Sequence, residues 1–452
     1  MRRTMKHNAT QYVFNDFSGG INVMSEGDLI AQNEMQECQN FYFLGYQRSL
    51  TARGGLSKPL VTFPEDIMGT YYDIDSNTFL VFLRDRSIYQ VPTLHVAPVK
   101  VGKLTGDKRP ICAKFQNRIW IASGDKLQSY NFAEENSVQT GPNAPVCDIV
   151  FDRGARLCAA RTGTDRILLS GVGDGEQWNT DDNDASTGAW LDIGYGDSAD
   201  IIAVVPLATD LLILKNNGMI YQLTGDKEVP SWVVYRIATQ TDAIGRNAAE
   251  AVGNDVVFVS RQGMKTMSTT MDYGNIAQGD LGEKWNILVT SGLYEPALFH
   301  LRRRKLLLIQ PKEKNRALIA YNYAVRAATT LKFPIPITAV NETMDRLVIS
   351  SGKHLYEMDE ENLKDGDTPI EFRLRPKDLI STEKILVRAV DSSMAATQAG
   401  DVRVEIDNMK INMPSNARRK VRCNHSSPRI QTTVHAAMPF QIKHLILEVA
   451  DL

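Results

Sequence analysis

Residues 210–225 read DLLILKNNGMIYQLTG. Leu211 to Leu214 make an unbroken apolar run, the pattern of a strand buried on both faces. Asn216, Asn217 and Gly218 follow, residue types that accept positive φ at little steric cost, so the chain reverses there. Tyr221 and Leu223 then alternate inward on the returning strand. The same unit recurs from Thr78 (TFLVFLRDRSIYQV), Asn117 (NRIWIASGDKLQSYNF), Asp165 (DRILLSGVGDGEQWN), Asn254 (NDVVFVSRQGMKTMST), Lys305 (KLLLIQPKEKNRALIAYNY) and Asp345 (DRLVISSGKHLYEMD). Successive starts lie 39 to 51 residues apart. One four-stranded propeller blade with its turns takes about 40–50 residues. The pattern therefore predicts an all-β chain built on a β-propeller of six or seven blades. An ordinary sandwich whose hairpins recur by chance is the competing architecture, and the even spacing favours the propeller.

The rest of the chain is organised around that array. Residues 1–64 lack the repeat and form an N-terminal extension, 65–365 hold the propeller, and 366–452 form a C-terminal β-sandwich. In the extension, Gln32–Phe43 (QNEMQECQNFYF) opens as a short helix with Met35 and Cys38 on its apolar side. A strand, a turn and a second strand follow from Asn40 to Gly55. Asn247–Val252 is a further candidate for a helical turn. After the Asp365-Gly366-Asp367 turn, alternating strands begin near Ile370, Ile385, Val402, Ile430 and Ile442.

Composition bounds the function. The hydrophobic fraction of 43% and charged fraction of 23% are those of a folded globular chain. A net charge of −2 gives no global attraction to nucleic acid. Cys38, Cys112, Cys147, Cys158 and Cys423 are odd in number and have no CxxC spacing, which reads as reduced thiols. The basic opening residues precede no apolar stretch of signal-peptide length, and Pro206 and Asp210 interrupt the longest apolar run, so no membrane-spanning segment is expected. The seven histidines never adopt ligand-pair spacing, and neither a nucleophile elbow nor a Walker-type glycine loop occurs. Neither catalysis nor a cofactor is expected.

Four local features invite a sharper reading. Gly171–Trp178 (GVGDGEQW) shares G-x-x-W with the turn of sialidase-type propellers, but Gly173 stands where that turn needs Asp. Asp181, Asp182 and Asp184 crowd oxygen ligands of the kind Ca²⁺ takes, yet the twelfth position from Asp182 is Ile193 where an EF-hand needs Glu. Arg302-Arg303-Arg304-Lys305 and Arg418–Arg422, the latter in a C-terminal loop, are basic clusters that suit phosphate, solvent or an acidic neighbour.

The first sixty residues carry a resemblance. Phe14-Asn15-Asp16-Phe17-Ser18-Gly19-Gly20-Ile21-Asn22 is followed by Asp28-Leu29, Asn33-Glu34, Gln39-Asn40, Gly45 and Arg53-Gly54-Gly55. This resembles the opening of the tail nozzle proteins of short-tailed bacteriophages, also called tail tubular protein B, tail accessory factor or head–tail stabilisation protein. Trp178 in GEQWN and Gly263 in FVSRQGM are similar to hairpin elements of the same family. The resemblance implies a structural role for Phe17, Gly19, Gly20, Asn40, Arg53, Gly54, Trp178 and Gly263. It also implies a virion protein that forms a hexameric ring at the end of the tail. Its partners would be an adaptor ring and a spike, fibre or needle, with genomic double-stranded DNA passing through the bore without sequence-specific contact. A glycan-acting propeller enzyme and a cellular propeller scaffold are the competing readings.

Overall fold

A computed structural model describes residues 10–451 except 93, 134–136, 182, 208–209, 226–228, 239–242, 254, 270–275, 291–296, 312–316, 363, 397–400 and 439. Asp182 of the acidic loop, Asn254 at the start of one repeat and the opening basic residues thus lie outside the described residues. Among the described residues, seven sheets follow one another as blades. The first six start with inner strands Ile67–Asp73, Ile111–Phe115, Ile149–Arg153, Ile201–Leu207, Ala249–Val252 and Ala297–Leu301. Each continues through three further antiparallel strands. The seventh takes Ala339–Glu342, Leu347–Ser351 and His354–Asp359, and its outer strand comes from the other end of the chain, as Gly55–Leu56 and Val61–Thr62. The ring is thereby closed by backbone hydrogen bonds. Residues 55–73 then run directly from the last blade into the first.

The second strand of each blade explains the packing. In Thr78–Leu83 every residue is buried. Phe79, Val81 and Leu83 face Val348 and Leu355 of blade seven, while Leu80 and Phe82 face Ile119 and Ile121 of blade two. The period-2 alternation of a strand thus feeds a different core on each side. The pattern continues around the ring. Phe115 meets Val150, Cys158 meets Ile213, Leu212 meets Phe258, Val257 meets Leu307, and Leu308 meets Ile349. Each such side chain, fully buried, stabilises by about 1.5–3 kcal/mol.

Two sheets make the sandwich. One holds Thr10–Phe14, Phe440–Asp451, Leu379–Ala396 and Arg418–Ile430, so the two ends of the chain are paired, Thr10 against Val449. The other holds Glu34–Gln39, Phe372–Pro376, Thr432–Ala436, Asp401–Ile406 and Met409–Pro414. This second sheet does not stop at the sandwich. Glu34–Gln39 also pairs in parallel with Ala327–Leu331, the outer strand of blade six, which makes one ten-stranded sheet across both bodies. The apolar core is continuous too, running from Val257 and Leu307 through Met35 and Phe41 to Phe372, Val404 and Leu447.

Three local expectations are corrected. Gln32–Phe43 does not open as a helix; Glu34–Gln39 is a strand. Its register slips between Met35 and Glu37, and that bulge puts Met35 and Cys38 on one buried face at a spacing that mimics a helical turn. Asn247–Val252 is likewise extended, as the inner strand Ala249–Val252. The basic residues from Arg418 are not in a loop but begin the edge strand Arg418–Ile430. Among the described residues the only α-helix is Asn286–Thr290, and no helix is long and apolar enough to cross a membrane.

Candidate functional site at the propeller–sandwich weld

Asn40, Arg53 and Gly54 are brought together where the two bodies join. The Arg53 side chain is 1% exposed, and all five of its N–H groups are used. Nη1 donates to the Gly54 carbonyl at 2.9 Å and to Asp365 Oδ1 at 2.8 Å. Nη2 donates to the Lys332 carbonyl at 2.7 Å and to Asp365 Oδ2 at 2.5 Å. Nε donates to Asn40 Oδ1 at 3.0 Å, and the guanidinium lies 4.4 Å over the Phe333 ring. The pairing with Asp365 is a planar fork, which Lys has no means to reproduce.

Asn40 completes the joint. Its φ of 66° is in the left-handed region, where Asn is among the few tolerated side chains. Its amide donates to the Thr330 carbonyl, its Oδ1 accepts from the Lys332 amide, and its Nδ2 donates to the Glu371 carbonyl. One residue therefore ties the extension to blade six and to the entry of the sandwich. Gly54 is required by space: a Cβ there would stand 2.3 Å from the Asp359 carbonyl oxygen.

Gly19 and Gly20 dock the extension on the same blade. Gly20 has φ +70°, and a Cβ on it would lie 2.8 Å from the Ala328 backbone. A Cβ on Gly19 would lie 2.7 Å from Glu34 Cγ. Phe17 is buried in the shared core. Glu34, which opens the strand paired with Gly20, accepts from Asn22 Nδ2 at 2.8 Å and from the Ala31 amide at 2.9 Å, and pairs with Lys284 of blade five at 2.6 Å. Burial would raise its carboxyl, but these partners hold it below the ordinary value.

Trp178 and Gly263 lie elsewhere, away from the weld. The 171–178 turn leaves blade three and packs on blade two, where Trp178 borders the core that contains Trp120. A Cβ on Gly175 would meet that indole at 2.4 Å. Gly263 has φ +123° and gives room to Asn286, whose Oδ1 accepts from the Met264 amide.

The remaining candidates resolve into local structure. Asp181 and Asp184 accept from the amides of Asn183 and Ser186, so they cap turns of their own loop. Arg156, which composition did not single out, lies beneath that loop and binds the carbonyls of Ser170, Ala185 and Thr187. Among the described residues no group of three His, Cys, Asp or Glu is placed to hold a metal. Arg304 pairs with Glu342 and Glu360 of this same chain, while the Arg303 guanidinium donates to the Met344 carbonyl. Arg418 pairs with Asp391 and Lys420 with Glu448. Burial pushes the Cys147 thiol up to about 12 and Cys38, Cys112 and Cys158 higher, so none is a thiolate nucleophile at neutral pH. A recess of about 170 Å³ between Asn15, Phe17, Arg48 and Gln441 is smaller than the pockets that hold substrates.

No family model and no curated protein matches the chain. Among solved structures it is similar to the Myceliophteria thermophila Cps50 (Swd1) β-propeller domain, with 8% identity and TM-score 0.49, covering 67% of this chain and 99% of that one. A chain of the mitotic checkpoint complex is similar at 11% identity and TM-score 0.44, covering 69% of this chain and 92% of that one. The propeller assignment rests on the strand pairing and the ring of cores described above.

Proposed function

We propose that this chain is a non-catalytic structural subunit, built into a ring of the tail-nozzle kind at the end of a short phage tail. The observation that carries the reading is the weld. Asn40, Arg53, Gly54, Gly19 and Gly20, which bear the resemblance to nozzle proteins, are the residues that lock propeller and sandwich into one body. A subunit of a conduit must keep its shape while its neighbours and its cargo pull on it. A shared sheet, a shared core and a buried arginine fork suit that demand.

In this reading the partners are further copies of the chain in a hexamer, an adaptor ring, and a spike, fibre or needle, with genomic DNA passing through the assembled bore. Trp190, Val233 and Tyr235 on the outer strands of blades three and four are about half exposed, and Tyr195 is 90% exposed. Large apolar and aromatic side chains of this kind are what subunit interfaces bury.

Mass measurement of the purified chain, alone and mixed with the products of neighbouring genes, tests the proposal. Rings of about six copies, formed alone or on an adaptor, are expected. A chain that stays monomeric in every mixture overturns it; turnover of glycans by that monomer would favour the enzyme, and capture of peptides the scaffold.

A further inference from the structure

The residues that precede the inner strands meet at one mouth of the propeller axis. Arg109 lies two residues before the inner strand of blade two. Its guanidinium is 5.6 Å from the Phe299 ring on the inner strand of blade six. Gly69, on the inner strand of blade one, leaves room for its stem: a Cβ there would stand 3.3 Å from Arg109 Cγ. Arg246, before the inner strand of blade five, reaches across the ring and donates to the carbonyls of Arg109 at 2.5 Å and Asp148 at 2.6 Å. Contributions from blades one, two, three, five and six converge only at the axis.

Among the described residues, Arg109 is the cation at this mouth that no carboxylate balances. Asp148 is fully buried and already taken by Lys108 Nζ at 2.5 Å and by the amide and hydroxyl of Thr162. Arg109 has no described carboxylate within ion-pair distance, and its guanidinium makes no hydrogen bond to a described residue. Its one close partner is the Phe299 face. Burial, then the nearby Arg246, lowers its affinity for the proton to a value of about 10, so it stays cationic at neutral pH beside a second cation. A half-buried cation with no described anion beside it is costly, and an anion supplied from outside removes that cost. A guanidinium presents a planar fork of donors that matches an oxyanion.

We propose that this axial mouth is a binding site for one oxyanion, phosphate or carboxylate, with Arg109 as the principal ligand and Arg246 as the second cation. The proposal does not depend on the ring-assembly reading. The anion would be either free phosphate or the acidic side chain of a docking partner.

The test is calorimetric titration and thermal unfolding of the full chain with sodium phosphate against sodium chloride at matched ionic strength. Expected are one phosphate per chain, a rise in melting temperature with phosphate, and at least tenfold weaker binding in Arg109→Met. Without phosphate, Arg109→Met should melt at or above the parent temperature, because the uncompensated cation is gone. Phosphate that binds no better than chloride, or equally well to Arg109→Met, overturns the proposal. Should that variant fail to fold, a selenate-soaked crystal of the unaltered chain decides: density between Arg109 and Arg246 supports the site, and none there rejects it. Competition by glutarate assigns the natural occupant to an acidic side chain; binding of phosphate without such competition assigns it to the free ion.

Discussion

The propeller and the weld are held by contacts of opposite kinds. Each inter-blade core joins neighbours in sequence through apolar side chains that alternate to either face of a strand. The weld joins residues some three hundred positions apart through directional polar groups: Arg53 to Asp365 across 312 residues, Asn40 to Glu371 across 331. Apolar packing is tolerant of changes that conserve volume, whereas a buried polar group that loses its partner is not. The blades are thus specified by a repeated pattern, and their attachment to the sandwich by a few irreplaceable groups.

Breaking the weld should therefore have the largest effect. Arg53→Met leaves Asp365 buried without its cation and should cost about 3–5 kcal/mol in denaturant unfolding. It should also split one calorimetric transition into two, as sandwich and propeller part. Adding Asp365→Leu to that variant should recover part of the loss, because the orphaned charge is removed as well. Gly54→Ala, which sets a methyl against the Asp359 carbonyl, should cost about 2–3 kcal/mol and broaden the same transition. In the propeller, Ile213→Val between blades three and four should cost only about 1 kcal/mol and leave the transition single.

Acid sharpens the contrast further. Glu34 at the weld and Asp148 in the propeller both have folded-state pKa values held below the ordinary carboxylate range. Burial opposes this; Lys284 and Asn22 act on the first, Lys108 and Thr162 on the second. Depressed values mean stability that is full above the ordinary carboxylate range and lost as pH falls through the folded values. Unfolding followed from pH 7 downward should be flat to about pH 5 and then fall. Glu34→Gln should flatten the acid limb reported by the sandwich, and Asp148→Asn the limb reported by the propeller. Calcium should do least: adding millimolar Ca²⁺ should not move the melting temperature, since Asp181 and Asp184 already cap their own turns.

The same contrast explains what could be read from the chain alone. The second strands of the blades were legible, because Phe79–Leu83 or Leu211–Leu214 must be apolar throughout to serve two cores at once. Blade three is instructive. The repeat read from Asp165 begins on its third strand, Arg166–Leu169, because the second, Arg156–Ala160, is written in Leu, Cys and Ala and lacks β-branched and aromatic residues. Small side chains there meet Trp120 and Phe115 across the core, so the volume is supplied by blade two. The extension was misread at Met35 and Cys38 because a bulge leaves no mark in the hydrophobic pattern that distinguishes it from a helical turn. Asn40, Arg53 and Gly54 stood out by resemblance, but Asp365 and Lys332 as their partners did not. Pairing between residues so distant has no periodicity to betray it. Arg156 and Arg109 were missed for a related reason: an arginine that serves backbone carbonyls or stands over a ring has no complementary acid in the sequence to point to it.

One consequence concerns how the molecule comes into being. The outer strand of blade seven, Gly55–Leu56, is synthesised early and finds its partner, Met358–Asp359, only after nearly the whole array has left the ribosome. Thr10–Phe14 waits longer still, for Leu445–Val449. Long-range strand pairing is slow and leaves edges exposed meanwhile. Synthesis must therefore pass Asp359 before the disc can shut, and a chain interrupted before Leu445 would lack the strand against which Thr10–Phe14 folds.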